Sequence, residues 1–460
     1  MKRNLLYITV CMALITVLGC SKPANKANKL FQAASKDVQM AQELEKTDYS
    51  GAFTKYKSGL EKLSIIVTKY SSTQIAEKLK QNNCEIETIT YKELKTLVRQ
   101  VKIRANAEQN PLVLAYLLAQ KITDPEQRAG VLSTIAADFS KEGLMDKSIE
   151  AFSKAQQSVT NIDNIDQKII ALAAIGASYA KTGQRIKSNK YFSRAVSLTK
   201  SLDNPNLKVK ALSSIASSYA KGGYYSNAFE IVKAIQQSFV KSWTISEIAA
   251  SYSATNQYSQ ALETAKKIEN NDLKAISLSG IAEKFMESGE KEKADKLFSE
   301  ALELAKSIKK MDQRATTLSE IAINFSKSGQ KEKAAQLFDL ATDITNGIDN
   351  DDVKSRTLYL ISNAYAKSGE IQKAEQLFSS AVNLTKKPIF TKGWDIYFHA
   401  ISQADADQFN EAFKTAGKIK NESIKAKTLS EICIKYAKSG NKDNIQTKTI
   451  IHSIINKLSV

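Results

Sequence analysis

Residues 358–381 read LYLISNAYAKSGEIQKAEQLFSSA, and their spacing decides the fold. Leu358, Ile361 and Tyr365 recur at the three- and four-residue steps of one helical face. Gly369, four past the aromatic, is the residue type that ends a helix in the left-handed conformation. Beyond it Ala374, Phe378 and Ala381 fall on one face of a second helix, where small alanines admit close approach and Phe378 fills the groove between helices. The phrase returns as Ile321, Phe325, Gly329, Ala334, Phe338 and Ala341, and again as Ile281, Phe285, Gly289, Ala294, Phe298 and Ala301. A repeating pair of helices, A then B, follows.

Traced by its helix-A aromatic, the repeat runs through Phe139, Tyr179, Tyr219, Tyr252, Phe285, Phe325, Tyr365 and Tyr436. Gln403 and Asn106 hold the same place in degenerate copies, giving about ten units. These anchors are 33 residues apart after Asn106, Tyr219, Tyr252 and Gln403, and 38 to 40 apart after the others. Long units carry Phe then Ala on helix B, as in Phe152 and Ala155 or Phe192 and Ala195. Short ones carry a smaller residue then Ile, as in Val232 and Ile235 or Ala265 and Ile268. Helix B is therefore expected to run about two turns further in the long class.

The spacing of Tyr365, Ala374, Phe378 and Ala381 resembles the tetratricopeptide (TPR) consensus: a small residue nine after the helix-A aromatic, an aromatic four later and Ala three beyond. Leu358 stands where that family has Trp, Ser or Ala replaces its usual Gly after Ile361, and no regular Pro closes the unit. The resemblance covers about residues 94 to 460. It implies an all-α, right-handed superhelical solenoid of antiparallel helix pairs, with helix A lining a concave face that takes up protein or peptide.

Composition agrees. The 460 residues include only 5 prolines and 17 glycines, and few stretches alternate as strands do. Residues 30–90 are expected to form a separate helical cap, since Tyr49, Ala52, Tyr56, Leu60, Leu63 and Val67 keep helical spacing. Residues 72–80 continue it, and 83–90 form an extended connector.

The first residues belong to an address. Lys2 and Arg3 precede an apolar run from Leu5 to Leu18, then Gly19 and Cys20, so residues 1–19 read as an export signal. Val17, Leu18, Gly19 and Cys20 resemble the lipobox of bacterial lipoproteins. That implies lipid on Cys20, residues 20–29 as anchor and tether, and a place in the cell envelope: the outer membrane, facing the periplasm, if the host is Gram-negative. Cys84 and Cys433 remain as thiols and read as packing residues.

The formal charge of +18 attracts anions, yet only eight of the 66 basic residues are Arg and the lysines spread along the chain. Phosphate recognition favours Arg, so no nucleic-acid partner is expected. His399 and His452 are the only histidines, and both sit in helical patterns. No metal, nucleophile or phosphate-loop motif occurs, so no catalytic residue, metal or cofactor is assigned.

What remains is surface. Residues six before each anchor are expected in the concave groove: Ser133, Ala173, Ser213, Ser246, Ser279, Ser319, Tyr359, Tyr397 and Ser430. Two after the anchor stand Lys141, Lys181, Lys221, Lys327, Lys367 and Lys438. They flank a floor of Ser and Ala suited to an extended acidic segment, or else complement helix C-termini over residues small enough for close helix packing. Tyr359, Trp394 and Tyr397, with Trp243 at the place equivalent to Trp394, are the candidate aromatic hot spot. The function expected is a lipid-anchored envelope scaffold for protein or peptide partners. Binding of an anionic envelope polymer or membrane surface by the basic solenoid is the alternative, and an envelope hydrolase ranks last.

Overall fold

A computed structural model describes residues 22–385, 393–439 and 445–458, so Cys20 and the export signal lie outside the described residues. These residues carry 23 α-helices and one two-stranded hairpin, an all-α solenoid built from helix pairs. The chain divides into two units, one ending at Leu114 and including the segment from Asp443, the other running from Ala115 to Lys442.

In the first unit, Lys22–Leu44 and Tyr49–Lys69 form an antiparallel pair. Ala27, Ala34, Val38 and Ala41 are buried on one side of it, and Tyr49, Ala52, Tyr56, Leu63 and Ile66 on the other. Residues 22–29, expected as tether, are thus part of a helix: Ala27, Ala34 and Ala41 stand seven apart and extend its buried stripe to the start of the described chain. Asp48 caps the second helix by accepting from the Gly51 amide at 2.8 Å. The expected connector is a hairpin that pairs Glu85 with Thr90 and Ile86 with Ile89, its turn residues Glu87 and Thr88 at φ 46° and 76°.

Helix Tyr91–Gln109 follows, closed at its start by a Thr90/Glu93 capping box. The C-terminal helix Ile445–Asn456 packs against it, with His452 Nδ1 2.7 Å from Glu108 Oε1, the Tyr49 and His452 rings stacked at 4.6 Å and Tyr49 donating to Asn456. The last helix and the helix before Leu114, both assigned above to the solenoid, therefore belong with the cap. No periodicity within a segment reports which distant helix it will pack on.

The second unit holds the repeats, and here the two length classes are real. Helix B has 16 residues after Phe139, 17 after Phe285, 16 after Phe325 and 15 after Tyr365, against 9 after Tyr219, 8 after Tyr252 and 9 after Gln403. Helix A has 16 or 17 residues in every unit of this array but one, as in Pro125–Lys141, Ile165–Lys181 and Glu422–Lys438, and 12 in Trp394–Asp405. The residue four past each anchor from Phe139 to Gln403 has positive φ, as Gly329 at 81° does. Asn256 and Asp407 take it at 59° and 57° where Gly is missing.

The Phe of helix B stacks on the anchor of the following unit: Phe152 on Tyr179 at 3.9 Å, Phe192 on Tyr219 at 4.0 Å, Phe298 on Phe325 at 4.0 Å and Phe338 on Tyr365 at 4.3 Å. In the degenerate unit Phe378 meets His399 instead, at 5.1 Å.

A second regularity lies in the sequence, where the residue eleven before every anchor from Phe139 to Tyr436 is basic. Arg128 donates to the Ile122 carbonyl at 2.9 Å and Lys354 to that of Asn346 at 2.7 Å, reaching carbonyls at or just past the end of the preceding helix B. Two of these cations therefore satisfy carbonyls near helix ends, while Lys425 bonds Glu422 at 3.0 Å.

The nine A helices of this unit pack each on the next, and the last, Glu422–Lys438, returns to the first. Ser430 donates to the Ala115 carbonyl at 2.8 Å, the Thr123 amide donates to Ser423 at 2.9 Å, and Lys438 Nζ lies 2.6 Å from Asp138.

Candidate functional site

The face of the A layer turned away from the B helices is the candidate binding surface, and its register is one residue later than expected. Ser133, Ala173, Ser213, Ser279, Ser319, Tyr359 and Ser430 are buried. They lie in the seams between neighbouring A helices, where Ser213 shares a 2.7 Å hydrogen bond with Thr244, and Ser246 a 2.9 Å one with Ser277. Their small size serves close packing. The residue five before each anchor is the one that reaches solvent, as Thr134, Glu247, Glu320, Leu360, Phe398 and Glu431 do.

This register sorts the aromatic candidates. Tyr359 is 1% exposed and its hydroxyl donates to the Asp395 carbonyl at 3.2 Å, so it joins two A helices and offers nothing to a partner. Tyr397 is half-buried; its hydroxyl donates to Glu431 at 2.6 Å and accepts from Lys427 at 2.8 Å. Burial first, then the Glu431 charge, pushes that phenol far above its ordinary range. Trp394 stands edge-on to Tyr397 at 5.0 Å under the Lys427 ammonium and is also half-buried. Exposed instead are Trp243 (47%), Leu360 (42%) and Phe398 (41%), with Phe239 (59%) one turn before Trp243. Leu360 and Phe398 hold the same register on successive A helices.

The lysines form a partial row. Lys221 pairs with Glu247 at 3.4 Å and Lys367 with Glu320 at 3.7 Å, while Lys327 is exposed beside Glu287. Because the last A helix returns to the first, Lys438 joins Lys141 at the two oxygens of buried Asp138, 2.6 and 4.0 Å away. Lys181 stands among them. Burial first, then the charges of Lys141, Lys438 and Lys221, lowers its pKa against the opposing pull of Asp138.

Cys84 and Cys433 are buried, and burial pushes the Cys433 thiol well above its usual range, so it acts as a packing residue. Among the described residues no group of His, Cys, Asp and Glu is placed to hold a metal ion, and no helix is long and apolar enough to cross a membrane.

The PPR repeat matches residues 360–383, within the stretch quoted at the outset. The chain carries a PPR/TPR-type repeat. Solved structures similar to this chain include Ton1535 from Thermococcus onnurineus NA1, at 16% identity and a TM-score of 0.27, covering 76% of this chain and 98% of that one. Aspartyl phosphate phosphatase F from Bacillus subtilis is similar at 15% identity and a TM-score of 0.26, covering 81% and 96%. The TPR-like repeats of a putative kinesin light chain from Podosopora anserina reach 13% and 0.23, covering 49% and 97%. No curated protein matches. The repeat units so identified say how the chain is built; what they bind has to come from their surface.

Proposed function

We propose that the protein is an interaction scaffold whose A-helix face holds a protein or peptide partner, lipid-anchored at Cys20 in the cell envelope. The observation that carries the reading is the exposure of Trp243, Leu360 and Phe398 on that face. Isolated large apolar residues on a surface are ordinary, but three on the open face of a repeat array are the anchors a partner would bury. Crosslinking in the cells that make the protein, followed by identification of what copurifies, tests it. A folded Trp243→Ala/Phe398→Ala variant is expected to lose at least tenfold of the captured partner, about the 1.4 kcal/mol of one modest hot spot. Recovery of the same partner in the same amount would remove this face from consideration.

The anchor has its own test. Metabolic labelling with a fatty acid is expected to mark the parent chain and leave Cys20→Ala unmarked; label persisting in the variant would refute that acceptor. A second reading, binding of an anionic envelope polymer, has Lys141, Lys181, Lys221 and Lys438 in its favour. It calls for affinity that falls steeply with salt and ignores the aromatic substitutions.

A further inference from the structure

In four of the five long units the residue nineteen past the anchor is a large aliphatic: Leu198, Leu304, Ile344 and Leu384. Leu384 shows what it does there, packing on the cluster around Leu358, the leucine seven before its own anchor. The Phe139 unit keeps that leucine as Leu132 but has Ser158 opposite it. Beside Ser158 lies an open cavity of about 230 Å³ bounded by Leu132, Ser158, Arg128, Lys154 and the amide side chains of Gln120, Gln157 and Asn161.

The replacement is polar for a reason visible in the hydrogen bonds. Ser158 Oγ donates to the Lys154 carbonyl at 2.9 Å and accepts from Arg128 Nε at 2.9 Å, while Arg128 Nη1 donates to the Ile122 carbonyl at 2.9 Å. Two of the five guanidinium donors are thereby fixed and three remain, on a group held rigid from behind. Lys154 makes no ion pair among the described residues, and no carboxylate lines the cavity. The position of Lys154 is held by Arg194, Glu300, Leu340 and Ser380 in the other long units, and that of Gln157 is acidic in two of them, as Glu303 and Asp343.

We propose that this cavity binds a compact anion, a molecule carrying a carboxylate or phosphate group. Its charge sits on Arg128 and Lys154, and its body lies against Leu132 and the amides. The site is independent of the A-helix face and of any partner held there. Calorimetric titration of the full mature chain with succinate, and separately with inorganic phosphate, tests it, and the two arms separate the carboxylate from the phosphate source. Saturable binding of at least one probe is expected, weakened about tenfold in Lys154→Gln, as loss of one charge-assisted contact requires. Binding should be abolished in Ser158→Leu, which restores the repeat's own filling. A cooperative thermal transition with the parent's helical content would show that Ser158→Leu is folded. Absence of saturable binding to both probes, or binding that survives Ser158→Leu, overturns the proposal.

Discussion

Phe192→Ala is expected to lower the stability of the repeat unit by about 3–5 kcal/mol, read as a shift of the urea midpoint or a loss of amide protection. The residue is fully buried, its ring stacks on Tyr219 at 4.0 Å and meets Tyr224 edge-on at 5.8 Å. On the side of its own unit it is so close to Gly176 that a Cβ there would lie 3.2 Å from the ring. One side chain therefore joins helix A of its own unit to helix A of the next. Removing it leaves a cavity the constrained helices cannot close, and it weakens the nearest-neighbour term on which a repeat array depends. Phe192→Leu keeps most of the buried area without the ring stack and should recover about half of the loss. A midpoint unchanged within about 0.5 kcal/mol in Phe192→Ala would mean that the aromatic ladder is ornamental and that alanine packing alone couples the units.

The features legible in the sequence are those set within a single unit. Helical periodicity, the left-handed residue at Gly329 and the two lengths of helix B were written into local spacing, and the structure reproduces them. The open face was not legible at single-residue precision. Positions five and six before the anchor differ by only 100° on the helix, and which one is covered depends on how the next A helix settles. Of the two readings the small serines allowed, groove floor or close helix packing, the seams fit the second, since Ser213 and Thr244 share a hydrogen bond at 2.7 Å between neighbouring A helices. The basic residue eleven before each anchor was a signal open to alignment, yet one lysine per unit is hard to see against so many. The return of Lys438 to Asp138 had no local signature at all, because it joins residues 300 apart in the chain.

His399 shows what a degenerate unit does to keep the ladder, and it makes the unit sensitive to acid. The anchor position holds Gln403, whose side chain lies 3.4 Å from His399 Nε2, and His399, one turn earlier, supplies the ring that stacks on Phe378. At 4% exposure the imidazole is held neutral. Burial, then the nearby Lys418 charge, lowers its pKa from 6.5 to about 4. In the unfolded chain the same ring takes up its proton at its ordinary value, so between these pH values the unfolded state binds more protons. Stability from this residue is complete above about pH 6.5 and is lost as pH falls toward 4, by about 3 kcal/mol in all. His399→Phe keeps a ring against Phe378 and cannot titrate. The difference in unfolding free energy between this variant and the parent, measured from pH 7 to pH 4, isolates the residue from the carboxylates, which titrate alike in both. The variant is expected to gain on the parent steadily as the pH drops. A difference independent of pH would show that the ring is already charged or hydrated in the folded chain, and that Gln403 alone fills the place of the missing aromatic.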